Sequence, residues 1–288
     1  MTAKVTAFAP AKINLTLHVT GQRTDGYHLL DSLVAFADIG DEIEARAAPQ
    51  LSLTVSGPMS EGVPSDSRNL MLKAAKLFDA SGTAALSLTK HLPAASGIGG
   101  GSSDAAATLR ALAELWNLPL PQTEDVLPLG ADLPVCLYPS PQRMSGIGEK
   151  LERIPALPPC DILLVNPGIE VATPGIFKTL TSRDNAPMPD ILPNWCSAED
   201  LAAWLHTQRN DLEPSACGLA PQISEVLTAL EATNPLIARM SGSGATCFAL
   251  FPAGGSETAS AREAIQQAHP NWWVKTGKLF SLAENIPG

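Results

Sequence analysis

The residues whose types and spacing are best suited to chemistry run from Pro93 to Leu115. The stretch opens Pro93-Ala94-Ala95-Ser96-Gly97-Ile98-Gly99-Gly100-Gly101-Ser102-Ser103-Asp104 and continues as the alanine-rich Ala105 to Leu115. Four glycines in the five positions 97–101 open backbone conformations closed to other residues and let a ligand approach the main chain. Ser102, Ser103 and Asp104 are N-cap residue types, and the composition behind them predicts a helix. A helix start carries free N–H groups and a partial positive charge, so a glycine-rich turn feeding one suits phosphate. A tight turn before a core helix is the plainer reading of a glycine cluster; the serines at its end and the apolar helix behind it favour phosphate. Spacing excludes two common phosphate motifs. No lysine follows the glycines as G-x-x-x-x-G-K-[ST] requires, and Ser102 stands where the third glycine of G-x-G-x-x-G would fall.

Around this loop the chain supplies strands and helices to hold it. Val5 to Val19 is rich in strand formers, and its alternation puts Lys12, Asn14, Thr16 and His18 on one face. Thr16 and His18 are expected to face solvent. Lys12 and Asn14, just after Pro10, can point into a cleft. Gly21 to His28 is a loop by its glycines and its Asp25-Gly26 pair. Leu29–Ala37, Asp41–Ala45 and Leu51–Val55 continue as a strand meander, Asn69 to Ala80 has helical spacing, and Ala85–Thr89 is a strand feeding the glycine loop. Beyond the alanine-rich helix, Asp132 in Gly130-Ala131-Asp132-Leu133-Pro134 resembles a capping residue with proline early in the next turn. Gly146 to Glu152 is a turn into a strand. Leu157-Pro158-Pro159 is the best boundary, giving domains of residues 1–157 and 158–288.

The second half predicts a strand at Asp161–Val165, a helix or turn starting at Thr173, and a mobile proline-rich loop from Thr181 to Pro193. Helices follow at Ala198–His206, Pro221–Ala232 and Ala259–Ala268. A second glycine loop, Gly242-Ser243-Gly244, precedes a strand, and Trp272–Leu279 closes the chain as another. Strands and helices mixed in both halves without regular βαβ alternation indicate an α+β fold.

Composition narrows the function. With 288 residues, 45% hydrophobic and 17% charged, the chain has the means to bury a sizeable core. A net charge of −10 disfavours non-specific binding to nucleic acid or a membrane surface. A polyanionic ligand must therefore be held by a few placed cations and backbone N–H groups. Five widely spaced cysteines, with no C-x-x-C pair, indicate neither a disulfide framework nor a cysteine zinc site. No signal-like apolar stretch opens the chain and no apolar run approaches membrane-spanning length, so a cytoplasmic protein is expected.

Three segments together resemble the GHMP small-molecule kinases, the family of galactokinase, homoserine kinase and the mevalonate kinases. They are Pro10-Ala11-Lys12-Ile13-Asn14-Leu15, Pro93 to Ala106, and Gly242-Ser243-Gly244-Ala245-Thr246, in an order and at separations that match over nearly the whole chain. Four further runs point to the branch acting on a cytidyl diphosphate sugar alcohol. These are Gly21 to Leu30, Gly130 to Pro134, Gly146 to Glu149 and Asn210-Asp211-Leu212-Glu213.

The resemblance implies an N-terminal domain like domain 2 of ribosomal protein S5 and a ferredoxin-like C-terminal domain. It implies transfer of the ATP γ-phosphate to the 2-hydroxyl of that alcohol, in the non-mevalonate supply of isoprenoid precursors. ATP would lie on Pro93, Ala94, Ala95, Ser96, Gly97, Ile98, Gly99, Gly100, Gly101, Ser102 and Ser103. Substrate would meet Asn14, Tyr27, His28, Phe177, Gly242, Ser243 and Gly244, with aromatic rings suited to stacking on cytosine. Asp132 is the expected base and Lys12 its partner, drawing the hydroxyl into line. Mg²⁺ is expected on the ATP phosphates, with no secure protein ligand. A monomer or weak homodimer is expected, with no nucleic-acid or membrane partner.

Two features depart from the family pattern. Ser96 stands where alanine or glycine is usual, and the segment from Asn117 to Gly130 is a few residues short, predicting a single helical turn or none. Two rival readings are a kinase of the same family for another alcohol, such as mevalonate or homoserine, and a non-catalytic ligand sensor. The Asp25-Gly26-Tyr27-His28 run argues against the first, and the presence of both Lys12 and Asp132 against the second.

Overall fold

The spine of the first half is one 20-residue strand, β3 (His28–Ala47). The computed structural model describes residues 3–78 and 83–280. On one edge β3 pairs antiparallel with β1 (Lys4–Asn14) and then β2 (His18–Gln22). On the other it pairs with β5 (Ala84–Thr89) and β6 (Gln142–Gly146), and the sheet ends in β4 (Ser52–Ser56) beyond β5 and β7 (Lys150–Arg153) beyond β6. Between these strands lie α1 (Leu70–Ala75), α2 (Gly100–Trp116), α3 (Thr123–Val126) and α4 (Leu133–Leu137). The second half is β8 (Cys160–Asn166), α5 (Thr173–Lys178), α6 (Ala198–His206), α7 (Glu213–Leu219), α8 (Gln222–Glu231), β9 (Ile237–Met240), β10 (Cys247–Pro252), α9 (Glu257–Ala268) and β11 (Trp273–Lys278). Its sheet runs β11-β8-β10-β9, antiparallel throughout, the ferredoxin-like order. The α+β class holds for both halves. Among the described residues no helix is long and apolar enough to cross a membrane.

The alanines of α2 explain how it seats the site. Ala105, Ala106, Ala107, Leu109, Ala111 and Leu112 are buried against β1 and β3, where small side chains let the helix axis come close to the sheet. On the opposite face of that sheet, Ala11, Ile13, Leu15, Leu33 and Ala35 join Ile162, Leu164, Leu201, Phe248 and Leu250 from the second half in one core. The middle of the first sheet is thus covered on both faces.

The structure corrects several expectations. Thr16 and His18 do not face solvent: Thr16 is fully buried and His18 nearly so. The Thr16 hydroxyl accepts from the Leu33 N–H and meets the Met188 sulfur, while His18 Nδ1 bonds the Ala186 carbonyl. The expected strand from Val5 to Val19 breaks at Leu15–Leu17, where Leu17 bridges to Asn210 in the second half. Leu29–Ala37 and Asp41–Ala45 are one strand. β4 pairs parallel with β5, not as part of a meander, because the connection between them crosses through α1.

The Thr181–Pro193 stretch has no regular structure, but it is tied down. Asp31 accepts from the Met188 N–H and from Arg143, and Arg143 also donates to the carbonyls of Met188 and Pro189. The helix expected over 69–80 spans Leu70–Ala75, and Ala80 lies outside the described residues. The shortened 117–130 segment carries the four-residue α3 and one 3₁₀ turn.

Candidate active site

The glycine loop reaches α2 through a left-handed turn. Gly99, not a serine or Asp104, is the residue before the helix, and it makes no side-chain cap. Ser102 and Ser103 lie inside the first turn. The Ser103 N–H already bonds the Gly99 carbonyl, so the N–H groups of Gly100, Gly101 and Ser102 are the ones a helix start leaves open. The serines divide their work. Ser103 is buried and donates to the Pro10 carbonyl at 2.7 Å, fastening the helix to β1, and the buried Ser96 donates to Pro93. Ser102 is only half-buried, facing Gly130. Ile98 is a buried core anchor and presents only its backbone, whose carbonyl accepts from Lys12 N–H at 3.0 Å.

Gly97 shows why the loop needs glycine. Its φ is +77°, and a Cβ there would lie 2.5 Å from the Ser241 carbonyl oxygen and 2.6 Å from the Gly244 nitrogen. The first glycine loop is therefore pressed backbone to backbone on the second. At Gly99 a Cβ would sit 3.1 Å from that of Lys12, so the aliphatic stem of Lys12 runs along the loop.

At the end of that stem, Lys12 Nζ lies 2.7 Å from Asp132 Oδ2. Lys12 is 3% exposed and the Asp132 side chain 36%, so the pair has one buried and one open end. Asp132 precedes α4 with helical backbone angles and makes no side-chain capping bond, its carboxylate turning to Lys12 instead. Arg110 fixes the far end of α4, donating to the carbonyls of Cys136 and Phe8 at 2.8 and 2.7 Å. Burial pulls the pKa of this guanidinium down to about 10, still charged at neutral pH. The Cys136 thiol in the same wall is pushed up to about 12 by burial, with the charge of Asp132 adding, and stays protonated. On the other side, the Gly146–Glu149 turn packs Gly148 on the Ala131 carbonyl, with Glu149 accepting the Ile147 N–H at 2.6 Å.

Ala131 also lines a cavity of about 400 Å³ with Tyr27, His28, Leu30, Ile147 and Phe177. The three aromatic residues singled out from the sequence do meet here. The His28 ring lies flat on Phe177, with centroids 4.4 Å apart and 21° between the planes, while Tyr27 is 59% exposed at the rim. Burial, with Arg183 adding, holds the His28 pKa below its usual value, leaving a neutral ring. Asn14 is buried and donates to the Ser32 hydroxyl at 2.8 Å. Its Oδ1 lacks a partner among the described residues and points toward Gly242. Ser243 meets the Thr173 hydroxyl at 2.9 Å.

Sequence reasoning missed a second charged cluster below the loop. Lys90 binds both Asp41 and Asp104, the latter at 2.8 Å, and all three are buried. Burial works against the Lys90 charge, but the two carboxylates outweigh it and its pKa is raised. Burial, with Asp41 adding and Lys90 opposing, lifts Asp104 well above the usual carboxylate range. No local pattern signals this cluster, because its members stand on β3, the end of β5 and α2. Arg110 offered a weak signal, as a lone cation in an apolar helix.

A glycine-loop helix start beside a lysine–aspartate pair and a substrate-sized cavity, carried on these two sheets, defines a small-molecule kinase of the GHMP class. The family model for the GHMP kinases N terminal domain matches residues 69–138, and that for GHMP kinases C terminal matches 195–275. A "4-diphosphocytidyl-2-C-methyl-D-erythritol kinase" of Ruegeria pomeroyi is 56% identical over 277 residues, 96% of this chain and 99% of that one. One of Cereibacter sphaeroides is 58% identical over 275 residues, 95% and 98% of the two chains. The crystal structure of a 4-(cytidine 5'-diphospho)-2C-methyl-D-erythritol kinase superposes with a TM-score of 0.74 at 31% identity, covering 95% of this chain and 98% of that one. The chain belongs to the GHMP kinases and, within them, to the 4-diphosphocytidyl-2-C-methyl-D-erythritol kinase family.

Proposed function

We propose that the chain transfers the γ-phosphate of ATP to the 2-hydroxyl of 4-diphosphocytidyl-2-C-methyl-D-erythritol, in the non-mevalonate supply of isoprenoid precursors. One observation carries the reading: the 2.7 Å Lys12–Asp132 pair joins the two ligand features. Lys12 lies along the glycine loop, and Asp132 follows Ala131 in the wall of the aromatic cavity.

The open N–H groups of Gly100, Gly101 and Ser102 receive the phosphates on the positive end of a 17-residue helix. Asp132 takes the hydroxyl proton as the alcohol oxygen bonds to the γ-phosphorus, and the bond from that phosphorus to the ADP oxygen breaks. Lys12 holds the carboxylate in orientation and offers positive charge to the transferring group. Tyr27 and Phe177 take the faces of the cytosine and His28 its edge, which requires His28 to leave its stacked place on Phe177. Asn14 Oδ1 and the Gly242–Gly244 backbone receive the acceptor's polar groups.

Mg²⁺, when bound with ATP, neutralises charge on the phosphates. No group of three or more His, Cys, Asp or Glu side chains converges among the described residues. Its ligands would come chiefly from the phosphates, with the half-buried Ser102 hydroxyl at the helix start available to a water in its shell. Residues 1–157 and 158–288 are proposed as the nucleotide-binding and the C-terminal domain.

The test is an ADP-release assay with the cytidyl alcohol, mevalonate and homoserine as acceptors. Turnover with the cytidyl alcohol alone is expected. Equal turnover with mevalonate or homoserine overturns the acceptor, and ADP release with none of the three overturns the reading.

A further inference from the structure

We infer that Ser241 is a positioning residue for this transfer, its hydroxyl fixing the acceptor side of the cleft against the donor side; the inference rests on the kinase reading above. Ser241 is fully buried between the two glycine loops. Its Oγ accepts the Asn14 N–H at 3.1 Å and donates to the Gly97 carbonyl at 3.1 Å. Asn14 stands two residues beyond Lys12 on β1, and Gly97 two residues before Gly99 in the phosphate loop. A single hydroxyl therefore joins the strand of the lysine, the loop for the donor and the loop for the acceptor. A serine hydroxyl has one proton to give, and here it is committed to a main-chain carbonyl.

The loop that carries Ser241 is itself braced. Its N–H donates to the Thr246 carbonyl at 3.0 Å, its carbonyl accepts from Gly244 at 2.9 Å, and the Thr246 N–H reaches Ser96 of the first loop at 3.1 Å. Behind it, the Asn210 amide divides its two N–H groups between the carbonyls of Met240 and Gly242, at 2.8 and 2.9 Å. Those are the two residues flanking Ser241. Glu213 accepts the Met240 N–H at 2.8 Å, and Arg239 donates to the Leu15 carbonyl at 2.9 Å. The Asn210-Asp211-Leu212-Glu213 run touches neither cavity nor helix start. Asn210 and Glu213 supply this brace, while Asp211 accepts from the Val19 N–H, and Ser241 is where the brace meets the site.

Transfer between two ligands held by two loops is sensitive to the gap between the loops, and a displacement of about 1 Å can cost about 10²-fold in rate. Removing the hydroxyl leaves the Asn14 N–H buried without its acceptor and the Gly97 carbonyl without its side-chain donor. Each loop keeps its own ligand contacts, so affinity should survive while alignment does not.

The experiment compares Ser241→Ala and Ser241→Cys with wild type. It uses rapid-quench single-turnover transfer at saturating substrates and calorimetric titration of a non-hydrolysable ATP analogue and of the cytidyl alcohol. The Ala variant is expected to lose about 10- to 100-fold in single-turnover rate with both affinities nearly unchanged, and the Cys variant, a weaker donor of similar size, to lose less. A folded Ala variant with wild-type rate overturns the inference. So does a rate loss matched by equal losses of both affinities with Cys no better than Ala, since that is general damage. If the Ala protein does not fold, the Cys protein is judged by the same rate and affinity criteria. Wild type reports on the parent reading separately: no transfer in wild type would overturn the kinase assignment itself.

Discussion

Replacing Asp132 by asparagine separates catalysis from structure, and the geometry sets the size of each effect. The amide keeps the shape and one oxygen for Lys12 but cannot take a proton. Loss of a positioned general base costs about 10²–10⁴ in rate, which is about 3–5 kcal/mol on the barrier. The cost to folding is much smaller. Breaking a fully buried ion pair costs about 3–5 kcal/mol and an exposed one about 0–1. Asp132 is 36% exposed and its replacement still accepts from Lys12, so the expected loss lies toward the lower value. The start of α4 should not move, since the Asp132 side chain makes no capping bond there. Steady-state ADP release at saturating substrates, with thermal unfolding of the same preparation, measures both effects. A well-folded Asn variant whose kcat stays within about tenfold of wild type would refute Asp132 as the base.

Three further outcomes follow from the same geometry. Phe177→Ala removes a stacking face and the ring that His28 rests on, so KM for the cytidyl alcohol should rise about 5- to 150-fold, the worth of about 1–3 kcal/mol of base stacking. KM for ATP should hardly change, and equal rises for both substrates would mean general damage. Gly101→Ala should stabilise the fold by about 0.4–1 kcal/mol, since a Cβ there meets nothing within 4 Å, yet weaken ATP by occupying space over the helix start. Unchanged ATP affinity by calorimetry would move the phosphates elsewhere. His18 has its pKa lowered by burial, with Arg209 adding and the Ala186 bond, Asp211 and Asp31 opposing. The unfolded chain therefore binds a proton that the folded one resists, and this contribution to stability is present above the unfolded value of about 6.5 and lost as pH falls below it. Urea midpoints from pH 7 to 5 should fall for wild type and fall less for His18→Gln; parallel slopes would remove His18 from the account.

Several features of the fold and site were legible because they are local. A glycine run before alanines must turn and then coil, and α2 follows from those residues whatever surrounds them. Ser197, Glu199 and Asp200 open α6, whose span over Ala198–His206 matches the expectation. The net charge of −10 already indicated that a polyanionic ligand would have to be held by a few placed cations and backbone N–H groups. Motif order along the chain was enough to indicate the family.

The serines do not cap because α2 already starts at Gly100, which places them inside the helix. The Ser103 hydroxyl reaches the Pro10 carbonyl, 93 residues away in sequence. Thr16 and His18 read as solvated because alternation reports only that one strand face differs from the other. It cannot report that the strand breaks after Asn14, or that Met188 and Ala186 of the second half then meet Thr16 and His18. The 181–193 stretch read as mobile because prolines and polar residues lack a periodic pattern, yet Asp31, Arg143 and His18 supply the partners that its backbone lacks locally.

By itself, then, the sequence determined the glycine loop and its helix, most of the elements, the α+β class and the residue types able to move a phosphate. The tertiary structure decided which of those residues meet. It aimed Asp132 at Lys12 instead of at its own helix, laid His28 on Phe177, buried Lys90 between Asp41 and Asp104, and made Ser241 the joint between two loops. The physical reason is range: backbone propensity and capping act over a turn of chain, whereas ion pairs, stacking and burial join whatever the packing of the two sheets brings within a few ångströms.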